Sequence, residues 1–317
     1  MNVKTFFNKT YMQKKVVPFI FSLARLLLLI GISYMILIPL FTKLSLLFME
    51  SGDLKDFSVK WIPKHFTLEN LRVALFTMDY WPALIRTIAF CLLIAFLQIA
   101  VTTISAYGFA RNKSRVKNFL FVLVLASLLI PPQTYIVTLY TQFQYFDILG
   151  IVSLINGEGI NIIDTIWTFV ALAATGMGIR SGLYIYIEKQ TFSALPYELE
   201  EAAKVDGAGM IRTFWSIMLP NIIPTMVMCF ILSFIWHWND TLYTGYFHSQ
   251  VGTLANVFSK LQHSVSDYLG GWETRTGAEA QLLLSVGGLL CVLPLVLLFI
   301  SVQRFFVQGV ERSGLVG

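Results

Sequence analysis

The sequence predicts an all-α membrane protein with six transmembrane helices and both termini in the cytoplasm. Three observations carry that prediction. The chain is 56% hydrophobic and only 13% charged, whereas soluble domains carry about a quarter charged residues. Its apolar residues fall in long runs, each with at most one charge, that can cross about 30 Å of hydrocarbon as helices. Its short loops alternate between Lys/Arg-rich and Lys/Arg-free, the pattern of basic loops retained inside.

The first span runs from Val16 to Phe41, broken only by Arg25. It is long enough to cross and lacks a small-residue cleavage site, so it stays as an anchor. An outside loop follows from about Thr42 to Pro82, with five basic and five acidic residues and with Trp61 and Trp81. Thr87 to Ala110 and Asn118 to Phe146 are free of charge and form the second and third spans. Pro131-Pro132 interrupts the third, where missing backbone donors and ring clashes kink or break a helix. Thr165 to Ile187, with Arg180 alone, is the fourth; Thr213 to Asn239 is the fifth; Ala280 to Gln303 is the sixth. The last outside loop covers about Phe247 to Glu279. Residues 1–82 thus hold a tail, one helix and one outside loop, and 83–317 hold a five-helix core with a cytoplasmic loop at about 189–220.

Orientation follows from Lys4, Lys9, Lys14 and Lys15 in the tail and Arg111, Lys113, Arg115 and Lys117 after the second span. The loop between the third and fourth spans has no Lys or Arg, and Arg304 and Arg312 follow the sixth. The net charge of +5 is therefore the signature of cytoplasmic loops, and no basic stripe interleaved with aromatics points to nucleic acid. Cys91, Cys229 and Cys291 lie in apolar runs. Their odd number and spacing oppose a disulfide framework or a zinc site.

The loop before the fifth span is unlike its surroundings. "PYELEEAAKVDGAGMIRTFWSIMLP", Pro196 to Pro220, opens with Glu198, Glu200, Glu201 and Asp206. Pro196 suits a first helical turn, early acids suit the helix dipole, and Gly207 suits the stop. Glu200 and Lys204 are spaced for an i,i+4 pair. Leu199, Ala202 and Ala203 share a face beside Glu198 and Glu201. A second amphipathic segment, Ala208 to Met218, leads to the fifth span. Small side chains let another surface approach, and the carboxylates could then meet basic groups on it. An ordinary solvated helix is the other reading.

Glu201-Ala202-Ala203, Gly207 and then Ile217-Met218-Leu219-Pro220 resemble the EAA motif of permease subunits of binding-protein-dependent ABC importers. "FTLENLRVAL", "AYGFAR", "WHWNDTLY" and "FFVQGVERSGLVG" are similar to the carbohydrate-uptake branch related to the maltose permease subunits. The resemblance implies a type I ABC importer permease fold in a bacterial plasma (inner) membrane. It implies that Glu201, Ala202, Ala203 and Gly207, with Glu198 and Asp206 beside them, form a coupling helix docking in a groove of an ATPase subunit. It further implies a second homologous permease subunit, two ATPase subunits, an extracytoplasmic solute-binding protein and a carbohydrate substrate. ATP and Mg would be held by the ATPases, and no cofactor by this chain. In keeping with that, no Gly-Lys dipeptide exists here, so a Walker A loop is absent.

Arg180 sits about seven residues inside the cytoplasmic end of the fourth span, and either faces a cavity or subunit interface or snorkels to the headgroups. Trp236, Trp238, Asn239 and Asp240 cluster at the outer end of the fifth span. They suit a sugar, with rings to stack and polar tips for hydroxyls, or form an interfacial aromatic belt. His65, His237, His248 and His263 read as solvent or interface residues. A secondary transporter or channel would need intramembrane acids, and Asp164, Glu188 and Asp240 all fall near span ends. An embedded enzyme would need a nucleophile–base constellation, and none is visible.

A reporter fused after Arg312 is expected in the cytoplasm and one inserted near Gly157 outside. Both reporters on the same side would remove the six-helix topology.

Overall fold

The computed structural model describes residues 17–312, apart from 51, 57, 60 and 269–276. Among the described residues every regular element is helical, and β-pairing is confined to isolated bridges at Met49–Phe66 and Phe146–Ile160. The chain divides into two compact units, residues 1–76 with 265–290 and residues 77–264 with 291–317.

In the first unit, α1 (Val17–Leu47) exposes every side chain from Val17 to Leu37. A helix apolar on all faces is stable only where lipid or protein surrounds it. It runs six residues beyond the expected Phe41. The loop after α1 is built around Asp53, whose carboxylate accepts the backbone N–H groups of Lys64 (2.8 Å) and His65 (3.0 Å) and lies 2.9 Å from His65 Nδ1. Phe48 stacks on Phe66 at 4.8 Å, and Asn70 Nδ2 donates to Met49 O. The segment then enters α2 (Glu69–Thr77).

In the second unit, α3 (Tyr80–Arg111) is the central helix. Its 32 residues extend about 48 Å at 1.5 Å per residue. The third span is two helices, α4 (Val116–Ser127) and α5 (Ile136–Gln144), separated by Pro131-Pro132 and one 3₁₀ turn. This is the expected break. A short helix, α6 (Ile151–Asn156), follows.

The fourth span departs from expectation. It is not one helix over Thr165 to Ile187 but α7 (Ile166–Ala174) and α8 (Ser181–Ala194). Gly176 (φ +72°) and Arg180 (φ +62°) lie in the left-handed region between them. The cause is a close approach to α3. A Cβ at Gly178 would lie 2.8 Å from Gln98 Nε2. That nitrogen donates to Ile179 O (2.8 Å) and Ser181 Oγ (2.7 Å), so backbone freed by the break is satisfied from α3.

The loop helix α9 (Glu198–Val205) precedes α10 (Met210–Thr213), a π-turn at Phe214–Met218 and α11 (Leu219–Trp238), which run on without interruption. Helices α12 (Leu242–Phe247) and α13 (Leu254–Tyr268) lead to α14 (Gly277–Arg312). Helix α3 packs on α7, α8 and α11. Among the described residues four helical stretches are long and apolar enough to cross a membrane: Val17–Leu47, Tyr80–Arg111, Met210–Trp238 and Leu282–Arg304.

The outer loop of the first unit makes a pH prediction. Hydrogen bonding to Asp53, then its charge, holds the exposed His65 imidazole above its ordinary 6.5. Hydrogen bonds from the His65 backbone and ring hold the Asp53 carboxyl below its ordinary 3.8. A raised imidazole stabilises the loop fully below about 6.5 and loses that contribution as pH rises through the raised value. A lowered carboxyl contributes above about 4 and loses it as pH falls through the lowered value. The loop should therefore be best ordered at mildly acidic pH, between those limits. NMR titration of the His65 ring should give a midpoint above 6.5 that falls in Asp53→Asn; an unchanged midpoint in that variant would dismiss the pair.

Candidate functional site

Two regions of the second unit hold the residues singled out in the sequence: the loop between α8 and α11, and a cavity at the two helix breaks.

Helix α9 ends as its composition requires. Gly207 takes φ +74°, its N–H bonds Lys204 O (3.0 Å), and the Ala208 N–H bonds Ala203 O (2.9 Å). This pair of bonds closes a Schellman stop, where a residue without Cβ is strongly favoured. The helix is tied down by α3. Arg111 Nη2 donates to Leu195 O (2.8 Å), Nε lies 2.9 Å from Glu200 Oε1, and the guanidinium lies 4.3 Å from the centre of the Tyr197 ring. Tyr107 Oη donates to the same Glu200 oxygen. The two ionic side chains are only 6% and 13% exposed. Glu200 therefore pairs with Arg111 instead of the expected Lys204, because a buried cation already fixed by other bonds outcompetes a solvated ammonium. Composition showed Arg111 and Tyr107 only as a cytoplasmic cation and part of a span; their shared role needs the fold.

With that anchor made, the faces of α9 are assigned. Glu198, Glu201, Ala202, Asp206 and Gly207 are exposed, whereas Ala203 is 2% exposed and packs inward. The outward surface also carries Val205 (88% exposed), and Met210 and Ile211 just beyond it are exposed too. Periodicity did not single out these exposed apolar residues in a polar loop. Behind the loop, Phe214, Met218 and Ile222 pack with Ala106 and Ala110 of α3 and Ile185 and Phe192 of α8.

The second region is a cavity of about 730 Å³ between the Pro131-Pro132 break and the 175–180 break. Arg180 lines it from the break itself, not from within a continuous helix as expected, and its guanidinium lies 4.7 Å from the centre of the Trp236 ring. The hydroxyls of Tyr135 and Tyr243 meet at 2.8 Å on its wall.

The other members of the expected aromatic cluster do different work. Trp238 is buried and donates Nε1–H to Cys291 O. Asp240 accepts the N–H groups of Tyr243 (3.1 Å) and Thr244 (2.7 Å) and so caps α12. Asn239 is exposed and donates to Ile235 O. Only Trp236 stands beside Arg180. His237 and His248 are buried, not solvated; His248 stacks on Phe90 at 5.3 Å. The side chain of His263 lies outside the described residues. Glu188, expected near a span end, is fully buried with Thr103 Oγ1 donating to it.

A family model described as "Binding-protein-dependent transport system inner membrane component" matches residues 99–312. The chain is 27% identical over 263 residues to the melibiose/raffinose/stachyose import permease protein MelC of Bacillus subtilis (strain 168), covering 83% of this chain and 86% of that one. It is 25% identical over 305 residues to the probable starch degradation products transport system permease protein AmyC of Thermoanaerobacterium thermosulfurigenes, covering 96% and 97%. In fold it matches a chain from the crystal structure of a bacterial ABC transporter involved in the import of the acidic polysaccharide alginate. That match has a TM-score of 0.72 at 14% identity, over 95% of this chain and 99% of the other.

The Arg111–Glu200 anchor is testable. Removing one partner of a buried ion pair costs about 3–5 kcal/mol, whereas apolar replacement of both is often nearly neutral. Arg111→Ala should release α9, raising tryptic cleavage at Lys204 and Arg212 at least about tenfold. The double variant Arg111→Met/Glu200→Met should recover most of the protection. Wild-type resistance in Arg111→Ala would mean the pair does not hold the helix.

Proposed function

The chain belongs to the family of binding-protein-dependent transport system inner membrane components, and from that premise we propose that it moves a sugar or oligosaccharide through a multi-pass inner-membrane subunit into the cytoplasm. One observation carries the reading of its mechanism. Helix α9 is fixed on its inner face by Arg111 and Ala203, while its outer face presents Glu198, Glu201, Ala202, Val205, Asp206 and Gly207. An anchored helix with an acidic, apolar and small-residue outer face suits docking into a basic-rimmed groove on an ATPase subunit. Ala203 acts from behind, as packing under that face.

The assembly follows from the family's mode of work. A second permease subunit, two ATPase subunits holding ATP and Mg, and an extracytoplasmic binding protein complete the importer. This chain supplies six crossings, the third and fourth as broken helices, with both termini inside; residues 1–82 form its N-terminal tail, first transmembrane helix and first extracytoplasmic loop, and 83–317 its core. The carbohydrate substrate is supported by relatives such as MelC and AmyC. Arg180 and Trp236 lie on its path, with Trp238, Asn239 and Asp240 shaping the outer end behind them. Glu188 is the feature a proton-coupled carrier would use, but it does not line the cavity at the breaks.

The test is coupled uptake in vesicles reconstituted with all subunits. Val205→Asp and Glu201→Lys alter the outer face without touching the anchor. Gly207→Val strains the stop, because a β-branched residue is a poor fit at φ +74°. Each should leave insertion and pairing with the sister permease intact. Each should also release the ATPase subunits, or cut substrate-stimulated ATP hydrolysis and uptake by about tenfold or more, the scale of one lost interface anchor. Full coupled uptake in all three would reduce the loop to a solvated linker.

A further inference from the structure

The proposed sugar path leaves one charge unexplained. Ile179, the neighbour of Arg180, is hydrogen-bonded through its carbonyl to Gln98. Gln98 lies thirteen residues before Arg111 on the unbroken α3, about 20 Å up the helix from that cytoplasmic end. Arg180 is therefore a full cation at membrane depth. Such a position is costly and is kept where a cavity or a counter-charge makes use of it.

The chain offers the cavity and withholds the counter-charge. None of the residues lining the 730 Å³ space is acidic, and Arg180 is the one cation among them. Among the described residues no carboxylate forms an ion pair with it. Asp240, close in sequence to the cavity residue Tyr243, spends both carboxylate oxygens on the N–H groups that open α12. Trp236 covers one face of the guanidinium at 4.7 Å. Stacking orients the plane of an arginine and leaves its N–H edge free, the edge that matches a carboxylate with two parallel hydrogen bonds. Around it, Tyr135, Tyr243, Gln133 and Ser181 offer the hydroxyl and amide groups that a sugar ring needs. The volume falls within the range of about 300–1,000 Å³ of small-molecule sites.

We infer that this cavity is a transit site for a carboxylate-bearing saccharide, a uronate, with the Arg180 guanidinium as its anion contact. The inference rests on the reading of the chain as a sugar importer and narrows it. A neutral sugar gives no return for a cation held at this depth. A phosphorylated sugar carries about −1.5 to −2 charges, more than a single guanidinium balances, whereas a carboxylate matches it one to one.

The experiment uses the whole importer, with sister permease, ATPases and its own binding protein, in proteoliposomes. The probes are digalacturonate, the carboxyl-reduced neutral disaccharide made from it, and galactose 1-phosphate. Wild type should accumulate digalacturonate in preference to both others. Arg180→Gln should lower the ratio of uronate to neutral uptake by about tenfold to a hundredfold, the worth of a hydrogen bond to a charged group. Arg180→Lys, keeping the charge but not the fork, should fall between. The ratio is insensitive to how much variant assembles, so partial misfolding does not imitate the effect. Uptake of the neutral disaccharide alone, preference for the phosphate, or an unchanged ratio in Arg180→Gln would each overturn the uronate assignment and leave the sugar importer standing. Uptake of no sugar by an assembled, ATP-hydrolysing complex would overturn both.

Discussion

The side-chain amide of Gln98 is the constraint on which the second unit depends. It is fully buried on α3, donates to Ile179 O and Ser181 Oγ, and accepts from Ser233 Oγ of α11 at 2.6 Å. Backbone at membrane depth can leave a helix only where protein or trapped water satisfies its freed groups. One amide does much of that here, and in doing so joins α3, α8 and α11. The break at 175–180, the cavity beside it and the placement of Arg180 all follow from this contact. Gly178 is its steric counterpart, since a side chain there would displace the amide.

Helix α3 carries polar stations at other depths. Near its N-terminal end, Thr87 Oγ1 accepts the Leu254 N–H at 2.8 Å. Toward its C-terminal end, Thr103 meets Glu188 and Arg111 meets Glu200. Apolar packing between helices is weakly directional in lipid, so hydrogen bonds at defined positions fix the register. The unbroken helix thus acts as a ruler along which α8, the loop and the α13 start are set.

Much of this was legible locally. The long spans declared themselves by charge-free length, the break at Pro131-Pro132 by missing backbone donors, and the α9 stop by Gly207. What was not legible depends on partners remote in sequence. Gly176-Met177-Gly178 reads as part of an apolar run until Gln98 is placed against it. Arg111 is one of four cations in a basic loop until Glu200 and Tyr197 arrive. The alanines of "EEAAK" lie one residue apart, and periodicity alone does not say which of them faces in; Ala203 does because it lies one turn from Glu200, the side that the anchor turns inward. Trp236, Trp238, Asn239 and Asp240 looked like one cluster because they are adjacent, yet successive helical residues point about 100° apart. The fold gives Trp236 to the Arg180 guanidinium and Asp240 to a helix cap.

These ties also locate the compliance a transporter needs. Helix α9 is held to α3 by Arg111, while its continuation through α10 and the π-turn enters α11 directly. A push on α9 therefore bears on two long helices that Gln98 and Ser233 already join at mid-depth. Two stiff rods tied at the end and at the middle do not splay easily. Of the elements between them, α4 and α5 meet at Pro131-Pro132 without a continuous backbone ladder, whereas the α7–α8 break is pinned to α3 by Gln98. Those breaks line the cavity. On the proposed reading, the Pro131-Pro132 break beside the cavity is the place where movement of the α9 docking face would be absorbed, without a separate hinge.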